Sequence, residues 1–395
     1  MNRKPYLTFS RIESIFLFVV FILLYIATLN ATGNSTIGKL SLWIVIVLTN
    51  LLFIIKKIRN KKIEKIYLLF LLYVTGFVVS ALITIQLNIF EIGLNNIVQF
   101  CACMGIFFYF SSIDWSHVKI NCAWITSLIF AFIHFIIWLG EGFPSQFKSI
   151  YPNSNLVGAY MFIVIFFFVL RFKIITTSKL LKYSILIPII LLWASDTRSV
   201  LLSLLISLII YIIYPYLRKS KFIGNALFLI FMAIMLSIVF LYPLLPRWKY
   251  FNALENWMLE NMGKSLMSGR SEIWTKIGYF IYQKPFFGYG PDKVASDFIG
   301  MKASTHNLYL NIVLQVGIIG LLLFFLILYT IFIKSYMQNT LHSRIGISFF
   351  IGILIHQLFE VTLIQNQLSV GIFQWIIIAL CLSKFKTSEK MRYAS

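Results

Sequence analysis

The sequence predicts an all-α integral membrane protein with about twelve transmembrane helices and a large, partly helical extracytoplasmic loop between helices nine and ten. Three observations carry that reading: the composition, the spacing of the apolar runs and the placement of the basic residues. Of 395 residues, 60% are hydrophobic and 12% charged, and the mean hydropathy is +0.88. A soluble domain carries roughly 25% charged residues. No soluble fold can hide this much apolar surface, so the solvent is lipid. The four cysteines, Cys101, Cys103, Cys122 and Cys381, all sit in apolar runs and read as small buried hydrophobes.

A spanning helix needs about 20 mostly apolar residues. Such runs begin near Ile15, Leu40, Ile66, Ile92, Asn121, Leu156, Tyr183, Ser199, Gly224, Asn307, Arg344 and Leu368. The seventh, ending near Ala194, is the shortest. The first follows Arg3, Lys4 and Arg11 and has the look of a signal peptide, but cleavage there would leave the downstream orientation unchanged. With the N-terminus in the cytoplasm, 23 of the 34 Lys and Arg fall on the cytoplasmic side and 11 outside. Eight of those 11 lie between Pro246 and His306, in a loop long enough to escape the positive-inside rule. The short loops therefore stand at 23 against 3 (Lys39, Lys148 and Arg198), which places both termini in the cytoplasm. The net charge of +21 is this bias plus contact with anionic lipid heads, not nucleic-acid binding.

The chain reads as one polytopic domain over 1–395, without a low-complexity linker or a visible internal repeat. Its long interruption, 245–306, is rich in Trp, Phe, Tyr and Met, so it reads as folded rather than disordered. "ALENWMLENM" places Leu254, Trp257, Met258 and Met262 on one helical face, and "SEIWTKIGYFIY" does the same with Ile273, Trp274, Ile277 and Ile281. Pro285 stops the second helix and "PFFGYG" makes a turn. The segment is expected to form a lid on the outer membrane surface.

Ionisable residues near membrane depth are costly and point to function. Arg198 opens span eight, Arg270 opens the second lid helix, and His306 stands where the lid re-enters the membrane. Behind His306, the residues Asn307, Asn311 and Gln315 form one polar stripe at i, i+4 and i+8, expected to line a wet cavity. His356, Gln357 and Glu360 add polar groups near the end of span eleven, and Asn153 and Asn155 cap span six. Singly, Arg198 can snorkel to headgroups, Arg270 can be an ordinary loop charge, and His306, like His117 and His134, can be structural. Together they converge on one side under one lid. Forked, permanently charged arginines suit a diphosphate. An imidazole, with an ordinary pKa of about 6.5, suits taking a proton from a hydroxyl at neutral pH. A sugar joined through diphosphate to a lipid would use both, and it carries its own activation.

Three stretches resemble the signature blocks of the O-antigen ligase and O-antigen polymerase superfamily: "SDTRSVLLSLL", "GRSEIWTKIGYFIYQKPFFGYGPDK" and "STHNLYLNIVLQVGIIGLLLFF". The pattern is Ser-x-x-Arg, then Gly-Arg-x-x-x-Trp through Pro-x-x-Gly-x-Gly, then His-Asn-x-x-Leu before Gly-x-x-Gly. The blocks cover 195–325, and twelve spans with a large outer loop after the ninth is that family's architecture. The resemblance implies Arg198 and Arg270 at the donor diphosphate and His306 near the acceptor hydroxyl, and "YPNSN" resembles a weaker upstream motif of the family ending at Asn155; the polar groups Asn155, Asn307, Asn311 and Glu360 are expected to bind substrate. It implies an inverting transfer with no metal or other cofactor. The implied substrates are an undecaprenyl-type polyprenyl diphosphate carrying an oligosaccharide and an acceptor glycan at the bacterial inner membrane. A flippase and a chain-length regulator are its expected protein partners. The Ile-, Phe-, Lys- and Asn-rich composition favours the polymerase over the lipopolysaccharide ligase.

"GNSTIGKL" nearly matches a phosphate-binding loop, but Leu40 takes the place of the required hydroxyl and no strand precedes it. The sequons at Asn30 and Asn34 are chance matches outside a eukaryotic host. A transporter or lipid-linked sugar flippase is the rival from another class, but its repeats and paired broken helices are not visible, and the polar features crowd the second half. Another membrane glycosyltransferase class would place acidic residues in the first outer loop, and "NATGNSTIGK" has none.

Overall fold

The computed structural model of the chain describes residues 4–33, 35–60, 65–84, 94–175, 178–217, 220–263, 265–267, 269–300 and 304–385. Arg3, Asn34 and Ile92, named in the sequence reading, lie outside these residues, as do several of the counted lysines and arginines. The first five helices are α1 (Lys4–Ala27), α2 (Thr36–Asn60), α3 (Lys65–Thr84), α4 (Leu94–Ser111) and α5 (His117–Gly140). Then come α6 (Ser154–Ile174), α7 (Lys179–Tyr183), α8 (Leu186–Ala194), α9 (Arg198–Leu217) and α10 (Lys221–Leu241). The lid contributes α11 (Phe251–Met262), α12 (Arg270–Gln283) and α13 (Ser296–Ile299), and α14 (Leu308–Gln338), α15 (Leu341–His356) and α16 (Leu368–Leu380) follow. Two-residue strands β1 (Asp114–Trp115) and β2 (Lys384–Phe385) pair in parallel.

Among the described residues, eight helices are long and apolar enough to cross a membrane, which makes this a multi-pass α-helical membrane protein. The seventh apolar stretch is broken into α7 and α8, while α15 and α16 are shorter still. Helices apolar all round belong in an interior, and here that interior is α6, α15 and α16. Helix α6 is almost wholly buried, whereas α9 and α10 are mostly open and turn Ile and Leu side chains outward. Small residues let α15 approach α9 closely: a Cβ on Gly352 would stand 2.1 Å from Ser207 Oγ. The near-match to a phosphate loop is preceded by a 3-10 turn (Thr28–Thr32), and Gly33 only ends that turn at φ 90°. All four cysteines are unbonded, with Cys103 and Cys381 buried and the other two half-buried.

The lid helices differ in what they cover. On α12, Trp274 and Ile277 are buried, and Trp274 Nε1 donates to Thr305 O at 2.7 Å. On α11, Leu254 and Trp257 stay exposed.

The second half of the lid is held by a break in α14. Gly317 leaves the helix at φ 68°, ψ −172°. The carbonyls of Leu314 and Gln315 accept from Tyr289 N (2.9 Å) and Gly290 N (3.0 Å), while Ile318 N donates to Pro285 O at 2.8 Å. Ser80 Oγ closes the joint by donating to Phe287 O and Gln315 O. A backbone break inside an apolar helix survives only if every opened group finds a partner. The Pro-x-x-Gly-x-Gly block is therefore the missing wall of α14, not merely a turn. Side chains cannot enter that wall: a Cβ on Gly317 would lie 2.1 Å from Phe286 C, and one on Gly288 2.6 Å from Gln315 C.

Candidate active site

Each principal candidate stands at a helix start marked by a left-handed residue. Asp196 (φ 52°) precedes Arg198, the first residue of α9, and Gly269 (φ 73°) precedes Arg270, the first residue of α12. His306 is itself left-handed, at φ 45°, just ahead of the Asn307 cap of α14. For a non-glycine this conformation costs on the order of 1–3 kcal/mol and needs support on both sides. Ser304 Oγ accepts from His306 N (3.2 Å), Trp274 holds Thr305 O, and Leu308 N donates to Gln357 O (2.9 Å). Helix N-termini carry partial positive charge and suit anions.

The polar segment after α15 gathers these residues. Glu360 accepts from Asn155 Nδ2 at 3.0 Å through Oε1, and its Oε2 lies 3.6 Å from His306 Nδ1. That second distance is an ion-pair contact, too long for a hydrogen bond. His306 Nδ1 is buried and has no hydrogen-bond partner, while the side chain is 40% exposed. The ring thus turns Nδ1 to Glu360 and leaves Nε2 on the open side. Arg270 donates to Phe359 O at 3.2 Å and lies 5.6 Å from the Phe359 ring centroid. Burial opposes charge on Glu360, yet the contact with His306 and the charges of His356, His306 and Arg270 outweigh it and hold the carboxyl below its usual range. Arg198 donates to Ser265 O at 3.0 Å, on the turn whose Met267 O accepts from Arg270 N. Beside Arg198, a groove of about 560 Å³ is lined by Trp138, Phe143, Ile190, Trp193 and Asp196.

The structure thus brings together Arg270, His306, Glu360 and Asn155, with Arg198 joined through the Ser265–Met267 turn. It corrects the reading of the stripe. Asn307 and Gln315 are 0% and Asn311 4% exposed, so no wet cavity opens along them. Asn307 Nδ2 donates to Leu358 O, Asn311 Nδ2 to Gln365 Oε1 (2.6 Å), and Gln315 exchanges two bonds with Gln365. Asn307 and Asn311 clamp the 357–367 segment. Sequence reasoning missed that Glu360 faces the histidine. The signal was a carboxylate four residues after His356, at the end of an apolar helix.

The chain matches no curated protein. A family model described as O-antigen ligase matches residues 183–325, from the start of the seventh apolar stretch to beyond the break in α14. That region, which contains Arg198, Arg270 and His306, is similar to the O-antigen ligase family and supports the O-antigen ligase and O-antigen polymerase superfamily.

Proposed function

We propose that the protein is a membrane glycosyltransferase that moves an oligosaccharide from a polyprenyl diphosphate to a sugar hydroxyl on the outer face of the inner membrane. The observation that carries this reading is the contact of Glu360 with His306 Nδ1, beside Arg270. With Nδ1 protonated and turned to Glu360, Nε2 is the basic nitrogen. It takes the acceptor hydroxyl's proton as that oxygen attacks the anomeric carbon. The anomeric C–O bond to the diphosphate breaks and its electron pair leaves on the phosphate oxygen. Arg270 and Arg198 neutralise that departing charge. Glu360 offsets the imidazolium that forms, as a carboxylate does in other His-dependent sites. The open 3.6 Å contact would tighten once substrate excludes water. The groove beside Arg198 has apolar walls suited to the carrier's chain.

The apolar runs support about twelve spans, and the charge count supports both termini in the cytoplasm and the site outside. Reporters fused at Met258 should read as extracytoplasmic and at Lys179 as cytoplasmic. A cytoplasmic signal from the lid would put the donor on the wrong side. Flippase and chain-length regulator proteins are the expected neighbours. Excess EDTA should leave the rate intact, and strict metal dependence would argue for another glycosyltransferase class.

Composition favours the polymerase, and the family match is compatible with either activity. A deletion strain decides between them. Loss of a polymerase leaves single repeat units still attached to their anchor. Loss of a ligase leaves long chains on the carrier and none on the core, and that outcome would overturn the polymerase reading while keeping the chemistry.

A further inference from the structure

Far from the candidate site, α2, α3 and the β1–β2 pair enclose a cleft of about 510 Å³. Lys56, Lys57 and Lys384 line it against one acid, Asp114. Lys56 is tied to the Ser112 carbonyl, and Lys57 Nζ lies 4.0 Å from the Tyr67 ring centroid. Lys384 is registered against Asp114 by the strand pair, which fixes the far wall. A second cavity of about 310 Å³ shares Tyr67, Ser111 and Leu382 with the first and adds Lys334. The positive-inside bias accounts for lysines at a membrane edge, but not for their convergence around a recess with an aromatic wall.

We propose that this cleft binds the phosphate group of an anionic phospholipid, drawn from the leaflet that these lysines face. A phosphate ester supplies the anion that three lysines against one aspartate call for. The lipid is favoured over a soluble phosphate by the surface leading out of the cleft. On α3, Leu71 (60% exposed), the half-buried Val74 and Val78 (41% exposed) follow Tyr67 at i+4, i+7 and i+11 on the same face, a track on which acyl chains can lie while the head stays in the recess. The site is independent of the glycosyl transfer proposed above; only its assignment to the cytoplasmic leaflet rests on the proposed orientation.

The test is native mass spectrometry of the full chain in detergent with added phosphatidylglycerol or phosphatidylcholine. Phosphatidylglycerol should be retained in preference, and Lys57→Gln/Lys384→Gln should weaken it by about 25-fold, roughly fivefold per lysine. The Arg/Arg counterpart should keep it. Lys384→Gln alone, on an exposed strand residue, should still show its fivefold share if the double variant is unstable. Equal retention of the two lipids, or no response to these substitutions, overturns the proposal. Displacement of phosphatidylglycerol by millimolar inorganic phosphate would make a soluble anion the ligand and overturn it as well. Labelling of Lys57→Cys from the outer side would overturn the leaflet assignment alone, and since no turnover is measured, none of these results bears on the enzyme reading.

Discussion

Two polar clusters adjoin at the start of α14, and they differ in whether their hydrogen-bonding capacity is used up. Asn307, Asn311 and Gln315 are buried and paired, amide to amide and amide to carbonyl. His306, Glu360 and Arg270 are half-buried, and His306 Nδ1 faces a carboxylate across a gap too long for a hydrogen bond. A satisfied polar group stabilises; one left open in a structured place is available for a substrate. The difference between the clusters therefore separates scaffold from chemistry, and single substitutions should split them.

The largest effects fall on the arginines. Arg270→Ala and Arg198→Ala should lower the transfer rate by about 10²–10³-fold or more, the scale for removing one donor at a developing anion. The protein should remain inserted and abundant. Lysine should restore only part of the rate, because a point charge cannot make the forked contact. Full activity with Lys at both positions would remove the diphosphate assignment.

His306→Ala should cost a comparable about 10²–10⁴-fold, the range for a general base. Glu360→Gln should cost less, since the base survives and only its orienting counter-charge is lost. Were His306→Ala to keep most of its rate, the base would have to be sought elsewhere.

On the scaffold side, Gln365→Leu leaves the buried Asn311 Nδ2 without its acceptor and Gln315 Oε1 without its donor, at about 1–3 kcal/mol each, while Gln315 Nε2 keeps Lys293 O. Gly317→Ala adds a clash with Phe286 to a left-handed residue. Both should lower the yield of folded protein and leave activity per folded molecule near normal for Gln365→Leu. Normal yield with lost activity would return the stripe to the substrate.

What the sequence disclosed follows the same division. Apolar runs, Arg270 and His306 were legible because composition and short spacings carry them. The stripe's spacing identified the inward face of α14 correctly, but an amide can be satisfied by another amide as well as by water, and Gln365 lies 50 residues from Gln315. The break at Gly317 was hidden for a related reason. It exists only because 285–290 fills it, and no local pattern in "LQVGIIG" distinguishes a helical glycine from a left-handed one. The left-handed His306 likewise depends on Trp274 and Gln357, which are distant in the chain.

The smallest expected effect is on stability in acid, and it tests Glu360 from the protein's side alone. Its folded carboxyl titrates below the unfolded value of about 4.3, because the contact with His306 and the charges of His356, His306 and Arg270 outweigh burial. Between the folded and unfolded values the unfolded chain binds the extra proton, so stability rises with pH there. The contribution is complete above about pH 4.3 and is lost as pH falls through the folded value. Thermal midpoints of the wild type and Glu360→Gln, followed from neutral pH to about 3, should differ by a constant amount at the upper end and converge in acid. A difference that widened in acid would mean that the fold prefers the protonated carboxyl. Glu360 could not then be the counter-charge to His306, and the reading of the open cluster as an acid–base pair would fall with it.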